Sequence, residues 1–94
     1  IDWTENAEKI NRRINAYNPS PCAWFSLNNK RIKILKAEVI HEKGEAGKIM
    51  NKEFLIGCGI NSLRPLLLRV EGKQDCTIND FLLGHKIEVG SYIQ

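Results

Sequence analysis

Two prolines, Pro19 and Pro21, stand two residues apart in the stretch Asn18-Pro19-Ser20-Pro21-Cys22-Ala23-Trp24. Proline locks φ and has no backbone N–H, so no helix continues through them. Each also biases its predecessor, Asn18 or Ser20, towards extended backbone. The stretch is a stiff corner. It divides the chain into an amphipathic helix and a β-rich remainder, and it sets the direction of Trp24 and the strand that follows.

The chain has 94 residues, which is one domain, residues 1–94. A domain this size buries roughly 60–70% of the surface its unfolded chain exposes, enough for one core. Apolar residues make up 43% and charged residues 27%, the balance of a folded globular protein. No apolar run approaches the roughly 18 residues that span a bilayer, and no signal-peptide pattern is present. The first residue is Ile1, not Met. The chain therefore reads as a piece of something longer, whose catalytic residues could lie elsewhere. Cys22, Cys58 and Cys76 are odd in number and widely spaced, and His41 and His85 are far apart in the sequence. Zinc needs four ligands, usually clustered in pairs, so no metal is expected. Reduced, partly buried thiols in a cytoplasmic protein are the expectation. The net charge of +3 permits a polyanionic partner without demanding one.

Thr4 is the expected N-cap of the first helix, with Glu5 and Glu8 in its first turns. Ala7, Ile10, Ile14 and Tyr17 recur at helical spacing and predict an apolar stripe over about residues 4–17. Lys9, Arg12 and Arg13 fall on other faces, as a solvated outer face or, in the second reading, a basic ridge facing a polyanion. Beyond the corner, about residues 24–94 read as the β-rich part. Trp24 to Leu27 is a short strand, and Asn28-Asn29 is a turn that tolerates left-handed backbone. Lys30 to Ile40 is a long strand whose alternation changes phase. Ile32 and Ile34 set one register; Leu35, Ala37 and Val39 set the other. A period of two cannot slip by one without a bulge, expected near Ile34-Leu35. Arg31, Lys33 and Lys36 then share the outward face. Such a strand suits a sheet that curls into a small barrel.

Further strands are expected at Lys48 to Met50, Phe54 to Cys58 and Leu63 to Val70, with Pro65 at an edge or bulge. Gly57-Cys58-Gly59 has no helix after it, so it is a weak phosphate-loop signal. Thr77 caps a short helix with Asp80 three residues on, and Gly84 is a natural C′ residue. His85 to Gly90 is expected to be the closing strand. The fold class is mainly β, with strands spaced as in a barrel or sandwich. No nucleophile elbow, phosphate loop or Cys–His pairing is present, so this chain alone is a binding or interaction module.

Several of these residues carry a resemblance. Asp2-Trp3-Thr4, the helix ending Ala16-Tyr17-Asn18-Pro19-Ser20-Pro21, and Ala23-Trp24 are similar to the start of the C-terminal domain of methionyl-tRNA formyltransferases. So are the basic strand around Ile32-Lys33-Ile34, followed by Lys36-Ala37, and Glu71-Gly72-Lys73 ahead of the helix Asp80 to Gly84. The likeness runs in order along the whole chain. Cys22 stands where the family usually has Gly, Ser20 where it often has Trp, Gln74 where a second Lys is common, and Asn15 near a usual Arg.

The resemblance implies a small open β-barrel resembling an oligonucleotide-binding fold, with an N-terminal helix and a short helix before the last strand. It implies a monomeric parent enzyme whose separate N-terminal catalytic domain moves a formyl group from 10-formyltetrahydrofolate to initiator methionyl-tRNA. This domain would carry no cofactor and would hold the tRNA backbone. Lysines and arginines that neutralise phosphates release counterions, so such binding falls with salt. The candidates are Arg31, Lys33 and Lys36 on the bulged strand, Arg64 and Lys73 near the opposite edge, and Lys86 on the closing strand. Two alternatives are a related formyltransferase acting on a non-RNA substrate and a non-catalytic interaction module. A generic single-strand binder would show exposed aromatics on its sheet face. Trp24, Phe25 and Phe54 sit in apolar runs and are expected in the core instead.

Overall fold

The computed structural model describes residues 1–18 and 22–93. The prolines of the corner lie outside the described residues, but both sides of it are visible. Helix α1 spans Ala7–Tyr17 and ends at Asn18, whose φ of −79° and ψ of 134° are the extended values expected ahead of a proline. The Asn18 side chain donates to the Leu35 carbonyl at 3.0 Å, and the Cys22 N–H returns to the Tyr17 carbonyl at 3.0 Å. Ala7, Ile10 and Ile14 are buried, as their spacing predicts, whereas Tyr17 is 43% exposed.

The N-cap is Asn6, not Thr4. The Asn6 side chain accepts from the Glu8 N–H at 3.0 Å. Thr4 is engaged elsewhere: its N–H and hydroxyl both donate to the Asp2 carboxylate, at 3.0 and 2.6 Å. The Ala7 N–H donates to the Ile60 carbonyl, which ties the start of α1 to the sheet side of the molecule.

The remaining elements are β1 (Ala23–Leu27), β2 (Lys30–Ile40), β3 (Ile56–Gly57), β4 (Ser62–Val70), β5 (Asp75–Thr77) and α2 (Ile78–Gly84). All strand pairs are antiparallel. The sheet runs β1-β2-β4-β3, and β5 also pairs with β4. Asn28 and Asn29 turn the β1–β2 hairpin with φ of 51° and 64°, the left-handed backbone expected of them. The register of β2 on β4 shifts between Ile34 and Lys36 and again between Lys36 and Ala37. The bulge therefore falls where the apolar phase slips, and it helps curl the sheet into an open half-barrel. Pro65 faces Ala37 just past that bulge. On the other side of β4 it lies between the residues that pair with β3 and those that pair with β5, so a central strand accommodates it.

The core is threaded by a ladder of rings. Trp3 meets Phe25 edge-on at 6.2 Å, Phe25 meets Phe54 at 5.8 Å, Phe54 stacks on Phe81 at 5.8 Å, and Phe81 stacks on His85 at 4.4 Å. These contacts join the N-terminal segment, β1, the loop before β3 and α2. Aromatic pairs in such geometry contribute beyond their buried area.

Other expectations are corrected. Of Phe54 to Cys58 only Ile56–Gly57 forms a strand, because Phe54 turns into left-handed backbone at φ 66°. Lys48 and Ile49 make isolated bridges to Tyr92 and Ile56 in place of a strand. Thr77 caps α2, accepting from the Asp80 N–H at 3.2 Å, as expected. Gly84 is the last helical residue, however, and His85 is the cap. Among the described residues no strand follows, so α2 is not succeeded by a closing strand. Glu88 to Ser91 forms a turn instead, and backbone bonds reach the Gly47–Ile49 segment only from Gly90, Ser91 and Ile93. The alternation of His85 to Gly90 finds no partner strand. Among the described residues, no helix is long and apolar enough to cross a membrane.

Candidate functional site

Strand parity decides which basic side chains meet. On β1, Ala23 and Phe25 point into the core, so Trp24 lies on the outer face and is 39% exposed. This corrects the expectation that Trp24 is core; a run of apolar residues conceals the alternation. The register continues outward across four strands: Trp24 opposes Lys33, Lys33 opposes Arg69, and Arg69 opposes Asp75. Arg31, two residues before Lys33, lays its guanidinium over the Trp24 ring, 4.0 Å from the centroid. Such cation–π pairs favour arginine on indole.

Helix α1 adds Arg13. A cavity of about 550 Å³ opens between α1 and the β1–β2 hairpin, and Arg13, Tyr17, Trp24, Arg31 and Lys33 are among its walls. A smaller hollow of about 170 Å³ shares Arg31 and Lys33 and extends to Arg69. A third shares Arg69 and reaches Lys73 on the β4–β5 turn. One basic surface thus runs from Arg13 through Arg31, Lys33 and Arg69 to Lys73.

The charges on it are held differently. Glu5 accepts from Arg13 Nη1 at 2.7 Å, which raises the arginine's pKa and lowers the carboxyl's. Asp75 accepts from Arg69 Nε at 2.6 Å and raises that guanidinium likewise. Among the described residues, no ion pair engages Arg31, Lys33, Lys36, Lys73 or Lys86.

Of the six expected contact residues, Arg31, Lys33 and Lys73 come together on this surface. Lys36 is exposed beyond the bulge, opposite Leu67. Arg64 is half-buried and paired with Glu38 at 3.8 Å and Glu53 at 3.1 Å. Lys86 lines a separate hollow with Asn28, Asn29 and Tyr92. Arg13 and Arg69 are the additions. Arg69 becomes visible only once β4 is registered on β2, and Arg13 only once α1 is docked. Among the described residues, no group of three or more His, Cys, Asp and Glu is placed to hold a metal. The arrangement presents planar guanidinium forks and ammonium groups, chemistry suited to binding anions.

Comparison with known proteins agrees with the sequence resemblance. The chain is 37% identical over 93 residues to the methionyl-tRNA formyltransferase of Paramagnetospirillum magneticum, covering 99% of this chain and 30% of that protein. Identity to the protein of that name from Pelagibacter ubique is 42% over 94 residues, covering 99% of this chain and 30% of the relative. For Neisseria meningitidis serogroup C (strain 053442) it is 38% over 96 residues, covering 99% and 31%. The chain therefore spans about 30% of the length of these curated relatives. The family model "Formyl transferase, C-terminal domain" matches residues 1–86, which include the helix, the bulged strand and the basic surface they carry. The chain belongs to the family of formyl transferase C-terminal domains.

Proposed function

We propose that this chain is the tRNA-holding part of a cytoplasmic methionyl-tRNA formyltransferase. In this reading it steadies initiator methionyl-tRNA while a separate N-terminal domain transfers the formyl group of 10-formyltetrahydrofolate to the methionyl amino group. The observation that carries it is the joining of Arg13, Arg31, Lys33, Arg69 and Lys73 into one surface on a curled sheet. The names of the relatives support it. A tRNA is a dense polyanion with A-form stems, and its stems offer phosphates and 2′-hydroxyls more readily than base edges. Lysine and arginine contacts to phosphates position such a molecule without reading its sequence. Lys36 is exposed past the bulge, outside these hollows. Arg64, which lines none of these hollows and is engaged by two carboxylates, and Lys86, in a separate hollow, contribute less.

The test is tRNA binding by the chain across a salt series, beside Lys33→Ala/Lys73→Ala. The expected result is binding that weakens steeply with salt, and a double variant that is weaker and loses about one unit of log–log salt slope per lysine removed. An unchanged slope would place the contact elsewhere. No binding even at low salt would favour a related formyltransferase whose substrate is not RNA.

A further inference from the structure

We infer that the cavity between α1 and the β1–β2 hairpin seats one unpaired RNA nucleotide, its base stacked onto the Trp24–Arg31 pair and its phosphate against Arg13 and Lys33. This rests on the RNA-binding reading above and adds what that reading does not require. Phosphate contact needs cations alone. Here an indole sits on the outer face of the sheet, 39% exposed, while its neighbours Ala23 and Phe25 are buried. The Arg31 guanidinium carbon lies over it, 4.0 Å from the ring centroid. Indole and guanidinium planes both stack nucleobases, which every base permits because each has a π-face.

The cavity's size and walls fit the same occupant. Its volume of about 550 Å³ lies in the range of about 300–1,000 Å³ typical of small-ligand sites. Ile10 and Tyr17 give it an apolar side, and Arg13, Arg31 and Lys33 give it a cationic one. Asp2, the carboxylate in the wall, is turned onto the Thr4 N–H and hydroxyl at 3.0 and 2.6 Å. A base inside a duplex cannot stack onto such a pair, because its faces are already covered by its neighbours. The ligand is therefore a nucleotide from a loop, a bulge or a single-stranded end.

The experiment compares two RNAs sharing one stem, a blunt duplex of two separate strands and the same duplex with a single-stranded 3′ extension. Each is titrated with the chain, with Trp24→Ala and with Trp24→Phe. The expected result is that Trp24→Ala weakens binding of the extended RNA by about 5- to 100-fold and leaves the blunt duplex and both salt slopes unchanged. Trp24→Phe retains most of the affinity. Trp24→Leu keeps apolar volume without a ring and gives the same comparison should the alanine variant not fold. Equal loss on both RNAs, or no loss on either, overturns the inference while leaving the phosphate-binding surface standing if Lys33→Ala still lowers the slope. Failure of the wild-type chain to bind either RNA overturns both readings.

Discussion

Gly59 passes so close to the Thr4 carbonyl that a Cβ there would overlap it, and Gly57 stands against the Glu45 backbone in the same way. The two glycines of Gly57-Cys58-Gly59 let chain segments cross, and the Gly59 N–H donates to the Glu5 carbonyl at 3.0 Å. Gly59→Ala should therefore lower stability by about 1–3 kcal/mol, read from urea denaturation, since the clash is with backbone that cannot rotate away. Cys22 is a buried side chain on left-handed backbone at φ 66°. Glycine adopts that conformation without the steric cost of a Cβ. Between the two glycines, burial pushes the Cys58 thiol from 9.0 up to about 11. The folded state then keeps a proton that the unfolded state gives up, so this group's contribution to stability falls as pH rises across that window. Urea midpoints measured at the two ends of the window should differ less in Cys58→Ala than in the wild type.

At the scale of elements, α1 is placed by its buried stripe of Ala7, Ile10 and Ile14 and by its ends. Asn6 caps it, and its N-terminus is hydrogen-bonded to the Ile60 carbonyl. Asn6→Ala should cost about 1 kcal/mol, and Thr4→Ala distinctly less, in paired denaturation curves. The apolar stripe of α1 was readable because its period is local. Its exact start was not, since Thr4 and Asn6 are both good caps and only tertiary pairing to Ile60 and the Asp2–Thr4 bonds choose between them. The bulge in β2 was readable because a phase slip of one residue has no other solution. The strand expected at His85 to Gly90 failed for the opposite reason: alternation shows which face could be buried, not whether a partner strand is present.

For the molecule as a whole, the curled sheet matters because it sums charge from separated parts of the chain. Arg13, Lys33 and Arg69 come from α1, β2 and β4. Single substitutions should therefore separate by location. Lys33→Ala should lower the salt slope of tRNA binding by about one, whereas Arg64→Ala should leave it unchanged. Arg64→Ala should instead register in stability, by no more than about 1 kcal/mol, because its partners Glu38 and Glu53 are largely exposed. Both are read from the same protein preparations by filter binding and denaturation.

The amino-acid order by itself determined the helix stripe, the extended turn out of the helix at Asn18, the left-handed Asn28-Asn29 hairpin, the bulge and the Thr77 cap. Each depends on interactions within a few residues, or on a periodicity that one element carries alone. Tertiary structure decided that Trp24 faces outward, that Arg69 stands beside Lys33, that Arg13 joins them, and that Arg64 is spent on carboxylates. These depend on strand register and helix docking, which bring together residues up to 56 positions apart from Arg13 to Arg69, and no local propensity encodes that distance.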